Sequence, residues 1–121
     1  MKLAWVTVTV KDMDESIQFY TDVVGLTIDS RRPAGPGVEL AFLGDGETKL
    51  ELVCNQAVSE FGIGDSISLG FEVDSVDDTL AALEAKGIAL HSGPFQPAPY
   101  VKFFFITDPN GLKVQFLEYL S

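Results

Sequence analysis

The chain repeats itself, and that repeat limits what it can fold into more than any local propensity does. A shift of 63 positions carries Val10 onto Val73, Asp12 onto Ser75, Met13 onto Val76 and Asp14 onto Asp77. Ile17 then falls on Leu80 and Tyr20 on Leu83, and Gly87 closes the second copy as Gly25 closes the first. The match extends outward. Leu3 to Val10 corresponds to Ser66 to Val73, and Lys49-Leu50-Glu51-Leu52-Val53 to Lys113-Val114-Gln115-Phe116-Leu117 after a one-residue slip.

Each copy reads as a strand, a capped helix and a glycine stop. Asp12 is placed to cap a helix, with Glu15 completing a capping box. Met13, Ile17, Tyr20 and Val24 follow the spacing of one helical face, predicting a helix over about 13–24 that Gly25 ends. Strands are expected at 3–10, 26–30, 38–43 and 49–54, with a loop at 31–37 and an Asp-Gly turn at 44–46. The second half predicts strands at 66–73, 88–91, 101–106 and 112–119, a helix at 76–86 and a proline-rich loop at 92–99. The layout is βαβββ twice, an α+β fold with helices covering one side of curved mixed sheets.

At 121 residues the chain is expected to form one domain, with modules at about 1–54 and 66–121 and a linker at 55–65. A net charge of −10 argues against nucleic acid and an anionic membrane as partners, and permits cationic ligands. The single cysteine, Cys54, leaves no internal disulfide and suits a reducing cytoplasm. No apolar run approaches the ~20 residues of a membrane span. The start of the chain enters a strand at once, without room for a signal peptide. A soluble cytoplasmic protein is the expectation.

Strand parity locates the site. In the first strand Ala4, Val6, Val8 and Val10 share a face that must meet the helices, which turns Trp5, Thr7 and Thr9 the other way. In the second half Ile67, Leu69, Phe71 and Val73 do the same, turning Ser68, Gly70 and Glu72 inward. Leu50 and Leu52, with Val114 and Phe116, pack toward helices, so Lys49, Glu51, Gln115 and Lys113 face the concavity. A half-buried carboxylate such as Glu51 is costly unless paired or used. Polar groups converging in an apolar cup mark a ligand site.

Val10-x-Asp12-x-x-x-Ser16-x-x-Phe19-Tyr20, followed by Gly25-Leu26, and Thr107-Asp108-Pro109-x-Gly111 with Glu118, resemble the vicinal-oxygen-chelate superfamily. That group holds glyoxalase I, extradiol dioxygenases, fosfomycin-resistance enzymes and bleomycin-resistance binding proteins. The resemblance implies the glyoxalase-like fold and a homodimer. It places the metal-ligand positions of the metal-dependent members at Trp5, Glu51, Ser68 and Gln115. Such a site wants histidine nitrogens and carboxylate oxygens, and only Glu51 is a strong donor here. No metal and no cofactor is therefore expected.

The remaining candidates each carry two readings. Trp5 either stacks an aromatic ligand or fills the cup. Glu51 acts as a cation anchor or general base, or pairs with Lys113 or Lys49. Glu39 and Glu72 either deepen a negative pocket or are solvated. Arg31 and Arg32 clamp an anionic ligand from the overhanging loop, or serve the surface. Alternation puts Phe103 and Phe105 in the core and Phe104 in the cup. His91 matches no ligand position, and Cys54 reads as a small core residue. The expected ligand set is Trp5, Thr7, Glu51, Ser68, Gly70, Phe104, Gln115 and Arg31, with Glu51 the candidate catalytic group. The expected function is metal-independent binding or sequestration of a small molecule, as in bleomycin-resistance proteins. The alternatives are a glyoxalase-like lyase or isomerase with Glu51 as base, and a vestigial interaction subunit.

Overall fold

Alternating apolar strands and capped amphipathic helices build two units of like topology, 1–63 and 64–121. In this computed structural model the described residues are 1–64 and 66–121; Asp65, the last residue of the expected linker, lies outside them. The first unit runs β1 (Trp5–Thr9), α1 (Met13–Gln18), β2 (Ile28–Pro33), β3 (Val38–Leu43) and β4 (Lys49–Asn55). The second runs β5 (Ser68–Glu72), α2 (Val76–Ala85), β6 (Ser92–Ala98), β7 (Val101–Thr107) and β8 (Lys113–Tyr119). The four-stranded sheets have orders β1-β4-β3-β2 and β5-β8-β7-β6. β1 lies parallel to β4 and β5 to β8, and the other pairings are antiparallel.

Both helices start on side-chain caps. An Asp12 carboxylate oxygen accepts from the Glu15 N–H at 2.9 Å, and the Ser75 hydroxyl accepts from the Asp78 N–H at 3.1 Å. In the second unit Glu118, reaching from β8, accepts from the Val76 N–H at 2.8 Å. The carboxylate of Asp108 accepts from the Asn110 and Leu112 N–H groups and closes the turn into β8. The Asp108 and Glu118 positions of the family signature thus hold this fold's turn and helix start.

The predicted first helix is shorter and changes character. After Gln18 it widens into a π-helical segment, Phe19–Val23, ending with the Val24 N–H on the Phe19 carbonyl. The Thr21 hydroxyl donates to the Ile17 carbonyl at 2.8 Å, taking an acceptor that the α-helical ladder uses.

α1 packs on β3 and β4, and α2 on β7 and β8. Val8, Val10, Met13, Ile17, Tyr20, Ala41, Leu43, Leu50 and Leu52 are buried in the first unit, Val76, Leu83, Phe104, Ile106, Val114 and Phe116 in the second. The edge strands differ most from expectation. The chain at Arg31 and Arg32 is not loop: β2 continues to Pro33, paired with β3 down to Glu39. Likewise 92–98, expected as a loop, is β6, paired irregularly with β7. Prolines suit both places because an edge strand has one row of N–H groups without a ladder partner.

Candidate functional site

In the first unit the sheet face turned away from α1 carries the candidate groups. Cross-strand pairing aligns Thr7, Glu51, Phe42 and Ser30 in one row over all four strands. Thr9, Val53, Leu40 and Arg32 form the next row, and Trp5 pairs with Lys49 on the other side. The Thr7 hydroxyl donates to a Glu51 carboxylate oxygen at 2.6 Å, a short charge-assisted bond. Among the described residues Glu51 has no ion pair. Lys49, offered above as its partner, instead donates to the Gly44 carbonyl at 2.6 Å and lies 4.0 Å from Asp29.

Beside this pair Trp5 meets Phe42 edge-on, ring centroids 5.7 Å apart, and remains 52% exposed. The Arg32 guanidinium lies over the Phe42 ring at 5.9 Å. Phe42 is thus flanked by an indole and a cation, and its cross-strand neighbour is Glu51. Sequence reasoning missed Phe42, and it grouped Arg32 with Arg31 in an overhanging loop rather than placing it beside that ring. The repeat contained one signal, since Phe42 maps onto Phe105.

Arg31 does not join this face. The register of β2 shifts between Ile28 and Ser30, so Arg31 falls opposite Ala41 and Arg32 opposite Leu40. Ala41 belongs to the buried helix side, and there Arg31 is held. Its Nε and Nη2 donate to the two Glu39 oxygens at 2.8 and 3.1 Å, while Nη2 lies 2.8 Å from Asp14. The hydrogen bond to Glu39, then that to Asp14, raises the guanidinium pKa above its ordinary value. Arg31 is a strut between β2, β3 and α1, and Glu39 is its partner rather than part of a negative pocket.

In the second unit Ser68, Gly70 and Gln115 share the face away from α2. Gly70 pairs with Gln115, which pairs in turn with Phe105. The absence of a side chain at Gly70 leaves room for Gln115, whose Oε1 would lie 3.2 Å from any Cβ there. Phe95, Phe103 and Phe105 form a chain of ring contacts at 5.7 Å each, with Lys113 Nζ 5.9 Å over Phe105. Phe104 is the correction here. It pairs with Phe116, touches that ring at 5.4 Å and is fully buried, so it belongs to the core and not the cup. Counting back from the turn after Thr107 would have put Phe105, not Phe104, beside Gln115.

The donor set does not fit the metal-dependent pattern that the resemblance implies. The first unit offers Glu51 and, at the other position, an indole engaged with Phe42. The second offers a hydroxyl at Ser68 and an amide at Gln115. Among the described residues no group of three or more His, Cys, Asp or Glu side chains is arranged to hold a metal ion. Among the described residues two shallow cavities lie at the edges of the sheets, the second sharing Lys113 with the face just described. One of about 250 Å³ is lined by Pro33, Val38, Glu39 and Cys54, the other of about 280 Å³ by His91, Thr107 and Lys113.

Paired βαβββ units, each with polar and aromatic groups on the sheet face away from its helix, define a class of α+β protein. Residues 2–116 match the Glyoxalase/Bleomycin resistance protein/Dioxygenase superfamily, and the chain belongs to it. It is 33% identical to the lactoylglutathione lyase of Haemophilus influenzae, over 98% of this chain and 93% of that protein. It shares the fold of the trypanothione-dependent glyoxalase I of Leishmania major, with TM-score 0.81, 22% identity and coverage of 98% and 86% of the two chains. It shares it also with an antibiotic-binding protein from Streptomyces, with TM-score 0.77, 23% identity and coverage of 99% and 97%. No helix among the described residues is long and apolar enough to cross a membrane.

Proposed function

We propose that the chain holds a small organic molecule on the open face of its first unit, without a metal ion. One observation carries this reading: the Thr7–Glu51 hydrogen bond beside a half-exposed tryptophan. Thr7 fixes one carboxylate oxygen and leaves acceptor capacity on Glu51 for a ligand's donor. Trp5 and Phe42 supply apolar surface with defined ring geometry, suited to a planar group. A homodimer with equivalent faces, in the cytoplasm, belongs to the same proposal.

A second reading makes the chain a lyase or isomerase with Glu51 as general base. The curated relatives favour it over sequestration, because those that match along nearly the whole chain are named lactoylglutathione lyases. The donor set favours a form of that chemistry in which Glu51 moves the proton and Thr7 orients it. One pair of variants separates the readings. A binder shows saturable quenching of its tryptophan that Trp5→Ser abolishes, and no lactoylglutathione turnover. An enzyme turns over lactoylglutathione, and Glu51→Gln removes the turnover while binding survives. A chain that does neither is an interaction subunit, and both readings fail.

A further inference from the structure

We infer that Arg32 is the specificity-determining residue of the first unit's open face, and that the ligand is a planar organic acid. The inference rests on the reading of that face as the ligand site. Several cations of this acidic chain are already engaged. Lys2 pairs with Glu47, Arg31 with Asp14 and Glu39, Lys102 with Asp77, and Lys49 bonds the Gly44 carbonyl. Arg32 is different. Among the described residues it makes no ion pair and its guanidinium donates to no side chain; it contacts the face of Phe42.

That contact, at 5.9 Å, sits at the outer edge of the ~6 Å range in which cation–π attraction counts. It orients the fork without consuming its donors. A guanidinium with free parallel N–H groups is matched by a carboxylate or similar anion, held bidentately. Across the sheet from Arg32 come Phe42 on β3, then Glu51 on β4, then Trp5 on β1, its ring edge-on to Phe42. Arg32 on β2 and Glu51 on β4 stand two strand spacings apart and two residues offset along the strands, roughly 12 Å between Cα atoms. The matching ligand therefore carries its anion at one end, a flat conjugated body in the middle, and a hydrogen-bond donor at the end facing Glu51. The register shift in β2 is what brings Arg32, rather than Arg31, to this face.

The test compares three acids with their primary amides: benzoate, indole-3-acetate and 2-naphthoate. Each is titrated by tryptophan quenching or, for the indole pair, by amide chemical shifts of the first unit. The structure predicts that each acid binds about tenfold more tightly than its amide, as a charge-assisted bidentate contact implies. Arg32→Gln erases that difference and leaves amide binding as it was, Arg32→Lys keeps part of it, and Arg31→Gln leaves the ratio intact. Equal binding of acid and amide, or a preference that survives Arg32→Gln, overturns the inference while the site reading stands. If neither acid nor amide perturbs the residues around Trp5, the site reading falls and the inference falls with it.

Discussion

Adjacent residues in this chain have opposite fates, and pairing rather than residue type decides which. Phe104 is fully buried against Phe116, while Phe105 stands on the open face beside Gln115. Phe104→Ala should therefore cost about 3–5 kcal/mol, through lost burial and a cavity, and Phe105→Ala clearly less, as urea denaturation would read. The arginines divide in the same way. Arg31 is partly exposed, so Arg31→Met should cost no more than about 1 kcal/mol, with the difference shrinking in high salt. Its raised pKa fixes the sign of the pH effect. Its stabilising link is complete below the unfolded arginine pKa and is lost only as pH rises through a still higher one. Urea midpoints of wild type and Arg31→Met should accordingly keep their separation between pH 7 and 10. Strand alternation put Trp5, Thr7 and Glu51 on the face away from the helix, where the structure has them. It was set one residue off at Phe104, and it never reached Arg31, which read as loop; there a register shift at an edge strand sets the side and leaves no mark in residue type.

The helices and turns were the most legible elements. Asp12 and Ser75 cap as read, and Gly87 takes the positive φ of 77° that ends the second helix. The edge strands were the least legible, since proline and glycine signal loops while edges tolerate both. Gly93 sits within β6 at φ +99°, where an added Cβ would meet the Phe104 backbone at 3.1 Å. Gly93→Ala should lower stability by more than the ~1 kcal/mol of an ordinary glycine replacement, measured as a shift in urea midpoint. At the start of α2, Glu118→Ala removes the acceptor of the Val76 N–H and a negative charge from a helix N-terminus. A loss of about 1–2 kcal/mol is expected, with faster amide exchange at Val76 and unchanged ligand binding at the first unit. That outcome would mark this signature glutamate as a fold residue, which is why the motif identifies the superfamily more readily than an activity.

For the whole molecule, the repeat made the fold readable, because two copies of one βαβββ pattern leave few other arrangements. Function was less readable. The positions that the resemblance assigns to metal ligands carry Trp5, Glu51, Ser68 and Gln115, so the family architecture comes here with a different set of groups on it. Its relatives favour lyase chemistry, and its donors favour a ligand held by a carboxylate, a hydroxyl and aromatic rings. Native mass spectrometry of protein purified without chelators, then given equimolar zinc and buffer-exchanged, tests this most directly. No divalent ion should be retained at one per chain, and any co-purified organic adduct should be lost in Trp5→Ser. One zinc ion per chain, removed by Glu51→Gln, would contradict it and return metal-assisted chemistry to this face.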